Sequence, residues 1–170
     1  TKLEGEQAVA ASGCVNLVLR TSWVYSMRQG GFVIKVLQWA REQEIMRVVD
    51  DQISGPTSAR MLAEITALIL AQGRDDVFGY LKEKGGLYHC AGAGSCSRYE
   101  WAKAILELDP HKEEQVVKEL LPAKSTDFAV SANRPNVSVL SNQRLQRVLH
   151  IYPATWEPEL CFELTRGGNV

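Results

Sequence analysis

Apolar and polar positions along this chain fall into two alternating periods. Residues 2–11 hold good helix formers (Leu3, Glu4, Glu6, Gln7, Ala8, Ala10), and Gly13 supplies a helix stop. The apolar run 15–19, closed by Arg20, reads as a buried strand. After Gln29-Gly30-Gly31, apolar residues recur at helical spacing (Phe32, Val33, Val36, Leu37, Ala40), and 45–49 reads as a second buried strand ending in Asp50-Asp51. The turn 54–57 opens a helix over 58–71 whose stripe is Met61, Leu62, Ile65, Leu68 and Ile69. Gly85-Gly86 introduces a third strand, 87–91, and A-G-A-G-S-C-S leads into a helix over 98–108, where Ser97 and Glu100 have capping-box spacing. Beyond Pro110 the pattern loosens. Residues 116–121 fit a strand or a short helix, 121–135 read as extended and polar, and helices return at 142–149 and 156–164. Strands alternating with helices predict an α/β fold.

Composition changes this picture little. A chain of 170 residues has room for one core, or for one domain and part of another. With 19 basic and 20 acidic residues, no net field draws it to nucleic acid or to an anionic membrane. No apolar run approaches the roughly 18 residues of a membrane span. The four cysteines, Cys14, Cys90, Cys96 and Cys161, form no C-x-x-C pair and do not cluster with the histidines, so neither a zinc site nor a disulfide framework is expected. A reducing, cytoplasmic setting follows as the expectation. The chain starts T-K-L-E-G-E-Q-A-V, inside a helical pattern and without Met, and so reads as a piece of something longer.

Local chemistry narrows the candidates. Gly92-Ala93-Gly94 stands between a strand and a helix, but Ser97 occupies the third glycine position of a dinucleotide fingerprint and no acidic residue ends a strand about 20 residues on, so it reads as a tight turn. Asp50 and Asp51 read as turn residues, since adjacent strand-end side chains point apart. Gln52, Pro56 and Thr57 combine an amide, a rigid bend and a helix-start hydroxyl that together could present hydrogen bonds to a ligand. His89 reads as a core histidine. Cys14, Cys90 and Cys161 read as inert, and Cys96, in a Gly-Ser loop at a helix start, is the candidate for a lowered pKa. Arg134-Pro135 fits anion recognition through the guanidinium fork. The segment T-S-W-V-Y-S, 21–26, ends the first strand in hydroxyls and aromatics where a plain turn would serve, and so either caps a core or lines a site.

Taken together, T-K-L-E-G-E-Q-A-V, L-R-T-S-W-V-Y-S, R-V-V-D-D-Q-I-S-G-P-T-S-A, G-L-Y-H-C-A-G-A-G-S-C-S-R-Y-E-W-A and N-R-P-N-V-S-V-L resemble, in order and spacing, the C-terminal part of the dTDP-4-dehydrorhamnose reductase family of extended short-chain dehydrogenases. R-T-S-W-V-Y followed by V-V-D-D-Q-x-x-x-P-T is the specific part. The resemblance implies a reductase that uses NADPH or NADH to reduce a 4-keto sugar carried on a nucleoside diphosphate. It implies Trp23 as a wall of the sugar site and Thr21 and Ser22 near the nicotinamide. Gln52, Pro56 and Thr57 would border the substrate, and Arg134 would approach the diphosphate. Lys2 would be the lysine of the family's Tyr-x-x-x-Lys pair, holding the cofactor ribose and depressing the tyrosine pKa. Its tyrosine partner would stand four residues before it, ahead of Thr1. The family is commonly associated with magnesium, although no ligand pattern for it stands out here.

The resemblance further implies that residues 1–50 are the last part of a Rossmann-type cofactor domain and that 51–170 are mainly the substrate-binding subdomain, interleaved with a sheet strand near 87–91. The N-terminal cofactor half would be missing, so the isolated chain is expected to be inactive and to associate with a second copy or with that half. The alternative is a non-catalytic regulatory or nucleotide-sugar-binding member of the same superfamily.

Overall fold

The computed structural model describes residues 1–28, 30–128 and 135–167. In chain order the elements are α1 (Lys2–Ala11), β1 (Leu17–Arg20), β2 (Val24–Tyr25), α2 (Gly31–Glu42), β3 (Ile45–Val49), β4 (Ile53–Ser54), β5 (Thr57–Ser58), α3 (Ala59–Gln72), α4 (Val77–Lys84), β6 (Gly86–His89), β7 (Cys96–Ser97), α5 (Arg98–Leu108), β8 (Glu119–Ala123), α6 (Gln143–Leu149) and α7 (Trp156–Gly167). The α/β expectation holds. Three pairings are parallel, β1 with β6, β2 with β5 and β3 with β8, and β4 with β7 is antiparallel. Parallel pairs need crossovers, and here helices supply them.

The helices form where apolar residues repeat on one stripe. Met61, Ile65 and Ile69 are the buried face of α3, which Ser58 caps by accepting from the Met61 amide at 2.9 Å. The capping box at α5 is complete: the Glu100 amide donates to Ser97 Oγ at 3.0 Å and the Ser97 amide to Glu100 Oε2 at 2.7 Å, satisfying two orphan donors. One apolar cluster gathers α2, β3, α5 and α7 around Trp101, Val36, Met46 and Leu160. A second gathers α3, β6 and α6 around Ile69, Tyr88 and Leu145. The clusters interleave along the chain, so elements distant in sequence share a core.

Several expectations shift. The first strand is Leu17–Arg20 and only half-buried, and β3 alternates, with Met46 and Val48 buried between exposed Ile45 and Arg47. Each therefore has one packed face, not two. His89 is half-buried, and its neighbour Tyr88 points into the core instead. Of residues 116–121, the last three enter a strand, β8, and 116–118 lead into it as irregular chain. Helix α4 was not expected; its N-cap Asp76 accepts from the Gly79 amide at 2.9 Å, and it buries no side chain. Among the described residues, no helix is long and apolar enough to cross a membrane.

Candidate functional site

In parallel α/β folds, ligands bind at the carboxyl ends of the strands. Here the carboxyl ends of β1 and β6 lie side by side, with Arg20 opposite His89 and the Cys90 amide donating to the Arg20 carbonyl at 2.7 Å. Thr21, Ser22 and Trp23 follow one strand and Gly92 follows the other.

A tight polar knot fixes this end. Ser22 Oγ donates to the Gly55 carbonyl at 2.7 Å, Thr57 Oγ1 donates to the same carbonyl at 3.2 Å, and the Gly92 amide donates to Thr57 Oγ1 at 3.1 Å. A Cβ on Gly92 would stand 2.1 Å from the Pro56 carbonyl oxygen, and one on Gly55 would stand 2.9 Å from the Gly92 carbonyl oxygen. Gly92 is thus glycine because two backbones touch, and the tight-turn reading of the Gly-Ala-Gly stretch gains a physical cause. Pro56 and Thr57 are buried, and both hydrogen bonds of the Thr57 hydroxyl end on backbone. Within this chain Thr57 thus serves the Gly55 and Gly92 backbone, and its contacts tie the Ser22 segment to the Gly92 turn.

Trp23 adopts φ +40°, unusual for a residue with a side chain, and the Thr57 amide donates to its carbonyl at 3.3 Å. Its half-buried indole stacks on Trp101, with centroids 5.5 Å apart and planes 10° from parallel. The Arg98 guanidinium lies 4.4 Å from the indole centroid and 5.0 Å from that of Phe32. Arg98 also meets Gln52: its amide donates to the Gln52 carbonyl at 3.2 Å, and its Nε to Gln52 Oε1 at 3.4 Å. Gln52 Nε2 in turn donates to Ser125 Oγ at 3.2 Å. The structure therefore joins Trp23 and Gln52 through Arg98, a residue the sequence did not single out. Arg98 is half-buried beside aromatic faces, where a cation gains from the ring quadrupoles.

The aspartates diverge. Asp50 Oδ1 accepts from Ser97 Oγ at 2.7 Å, while Asp51 accepts from the Ser125 hydroxyl and amide at 2.5 and 2.9 Å. The Ser125 hydroxyl bond, backed by amide donors, holds Asp51 below the ordinary carboxylate range. Cys96 corrects an expectation: it is buried in β7 opposite Ser54, and burial, with the nearby Glu100 charge, pushes its thiol up to about 12. It is not an activated thiol. Lys2 is exposed in the first turn of α1, and Thr21 is exposed beyond β1. Arg134 lies outside the described residues. Among the described residues, the metal-type side chains that come within one ion's reach are His111, Glu113 and Glu114, exposed on a 3-10 turn, where Glu114 pairs with Arg41 at 2.7 Å. Magnesium gains no support from the residues around Trp23.

The family model of the RmlD substrate binding domain matches residues 1–166. The chain belongs to that family. Relatives named dTDP-4-dehydrorhamnose reductase include one from Burkholderia thailandensis, 36% identical over 92% of this chain and 53% of its own length, and one from Escherichia coli K12, 30% identical over 92% of this chain and 51% of its own. Among solved structures, a dTDP-4-dehydrorhamnose reductase from Clostridium acetobutylicum superposes with a TM-score of 0.81 at 28% identity, covering 97% of this chain and 53% of that one. A reductase of the same name from Bacillus anthracis, solved in complex with NADP, superposes at 0.71 with 28% identity, covering 88% and 48%. The fold of this RmlD-family chain is accordingly that of the extended Rossmann reductases, and the chain spans about half the length of the curated relatives it matches.

Proposed function

We propose that this chain is the sugar-facing half of an NADPH- or NADH-dependent dTDP-4-dehydrorhamnose reductase. The observation that carries the reading is Trp23, held by Trp101 and Arg98 at the carboxyl end of β1, in a chain that matches the RmlD family over residues 1–166. An indole clamped in this way offers a stiff apolar edge and one N–H to a sugar. Arg98 and Gln52 add polar groups beside it. Pro56 and Thr57 shape the floor through the Gly92 contact, and Arg134 remains the residue assigned to the diphosphate.

The residues offered to a nicotinamide cofactor suit it chemically. Lys2 carries an exposed cation for a ribose hydroxyl, and Thr21 an exposed hydroxyl. Ser22 has committed its proton to the Gly55 carbonyl, which leaves it an acceptor for an amide. Bound cofactor would supply hydride to the sugar's keto carbon. The protein's part is the proton to the keto oxygen, from a tyrosine one helical turn before Lys2 whose pKa the lysine charge lowers. On this reading the isolated chain, without that tyrosine, binds and orients but turns nothing over, and it works against a further half or a second copy.

The test is an NADPH-oxidation assay with dTDP-4-dehydro-L-rhamnose on the full-length protein. Turnover is expected, with Trp23→Ala raising KM about tenfold or more; an inert full-length protein would overturn the reading. Titration of the isolated chain with the dTDP-sugar separates this from a free-standing binding module, which would need binding of full strength without the other half.

A further inference from the structure

We propose that Glu6 and Arg20 are positioning residues: their two-pronged ion pair fixes the Lys2 face of α1 against the carboxyl end of β1. The proposal rests on the reductase reading for what Lys2 does, but its geometry is independent of it. Helix α1 buries no apolar side chain, so apolar packing within this chain sets neither its rotation nor its height on the sheet. Lys2 and Glu6 are four residues apart and therefore share one stripe of the helix. Arg20 is the last residue of β1, in register with His89 of β6, and is followed at once by Thr21 and Ser22.

Between these points Arg20 Nε donates to Glu6 Oε1 at 2.8 Å and Nη2 to Glu6 Oε2 at 2.6 Å. Isolated surface pairs contribute little, because two flexible chains meet at one point in water. This pair also lies at the surface, with the Arg20 side chain 41% exposed, but its geometry differs from a one-point contact. Both prongs of a planar guanidinium are engaged, which fixes direction as well as distance, and the Glu6 side chain is only 20% exposed. The Arg20 hydrogen bond holds Glu6 below the ordinary carboxylate range, so the fork is charged at neutral pH. A lysine at position 20 would keep the charge and lose the fork. A ribose-holding lysine has to stay in register with the residues at the nicotinamide, and a misplacement of about 1 Å can cost up to about 100-fold in rate. The fork ties exactly those two groups of residues, α1 with Lys2 and β1 with Thr21, across the chain.

Two measurements test it. Hydrogen exchange on the full-length protein should show the α1 amides of Glu6→Gln and of Arg20→Lys exchanging about tenfold faster than in the parent, with β1 and β6 amides unchanged; unchanged α1 exchange in both variants overturns the proposal. In the full-length protein, both variants should lower kcat about tenfold or more at a temperature well below their Tm while the sugar KM stays within about twofold, and Glu6→Arg combined with Arg20→Glu should recover part of the loss. A lowered Tm with unaltered kcat would make the pair merely structural and overturn the proposal. If the parent full-length protein shows no turnover at all, the reductase reading fails, and the exchange measurement still decides the fork.

Discussion

The Arg98 guanidinium sits 4.4 Å from the centroid of the Trp23 ring, and the same arginine hydrogen-bonds Gln52. Trp23 and Gln52, the two residues proposed to face the sugar, thus share one cationic neighbour. Partly desolvated cation–π contacts contribute about 0.5–2 kcal/mol, roughly twofold to thirtyfold in an equilibrium. Arg98→Ala in the full-length protein should raise the sugar-nucleotide KM within that range and change kcat less. In this chain it should alter the near-ultraviolet circular dichroism as the indole loosens. An unchanged spectrum and KM would show that the contact restrains nothing.

Trp101 is fully buried between Trp23, Tyr25 and Phe32, and its indole N–H has no hydrogen-bond partner among the described residues. The ring's worth here lies in its volume. Trp101→Ala should cost about 3–5 kcal/mol in urea unfolding, whereas Trp101→Phe, which removes an unpartnered donor along with some volume, should cost about 1–2 kcal/mol. Equal losses for the two variants would contradict this.

Gly92 lies against the Pro56 carbonyl, with no room for a Cβ at 2.1 Å from backbone oxygen. Gly92→Ala should destabilise the fold by about 1–3 kcal/mol or more, since the obstacle is main chain and not a pliable side chain. Gly5→Ala meets open space inside helix α1 and should be neutral or stabilising by up to about 1 kcal/mol, checked by the same unfolding experiment.

What could be read from the sequence was local. The capping box of Ser97 and Glu100 spans one helical turn, and the Met61, Ile65, Ile69 stripe repeats within one helix, so both were legible. The family resemblance likewise ran along ordered motifs, and the matches bear out the family and the fold. The partners of Trp23 were not legible, because Trp101 and Arg98 reach it from a helix far downstream and nothing in T-S-W-V-Y-S encodes them. Helix α4 was missed because it buries no apolar stripe, and Phe78 stands exposed on it. Cys96 misled because its Gly-Ser surroundings suggest an open loop, while its backbone pairs with Ser54 inside the core.

The cysteines separate by burial. Cys14 is exposed; burial pushes the Cys90 thiol up to about 11 and that of Cys96 to about 12. A disulfide-exchange reagent at mildly alkaline pH should modify Cys14 at once and leave Cys90 and Cys96 until the protein is unfolded, because the thiolate is the reacting form. Mass-mapped labelling of Cys96 in the native chain at a rate near that of Cys14 would refute its burial.

Asp109 offers a pH test whose sign is fixed by its surroundings. Burial pushes its carboxyl up, but donors from Gln115 Nε2 at 2.9 Å and the His111 amide at 3.0 Å, together with Arg41 at 3.2 Å, outweigh that and leave it below the ordinary 3.8. A carboxylate with a lowered folded pKa contributes stability that is fully present above its unfolded pKa and is lost as pH falls through the folded value. Asp109→Asn should therefore cost stability at neutral pH, about 1–3 kcal/mol since Arg41 keeps Glu114 at 2.7 Å, and the gap to the parent should close as the buffer is taken below the ordinary carboxylate pKa. Urea unfolding of both proteins across that range measures it. A gap that stayed constant in acid would mean that Asp109 acts through shape alone and that its charge contributes nothing.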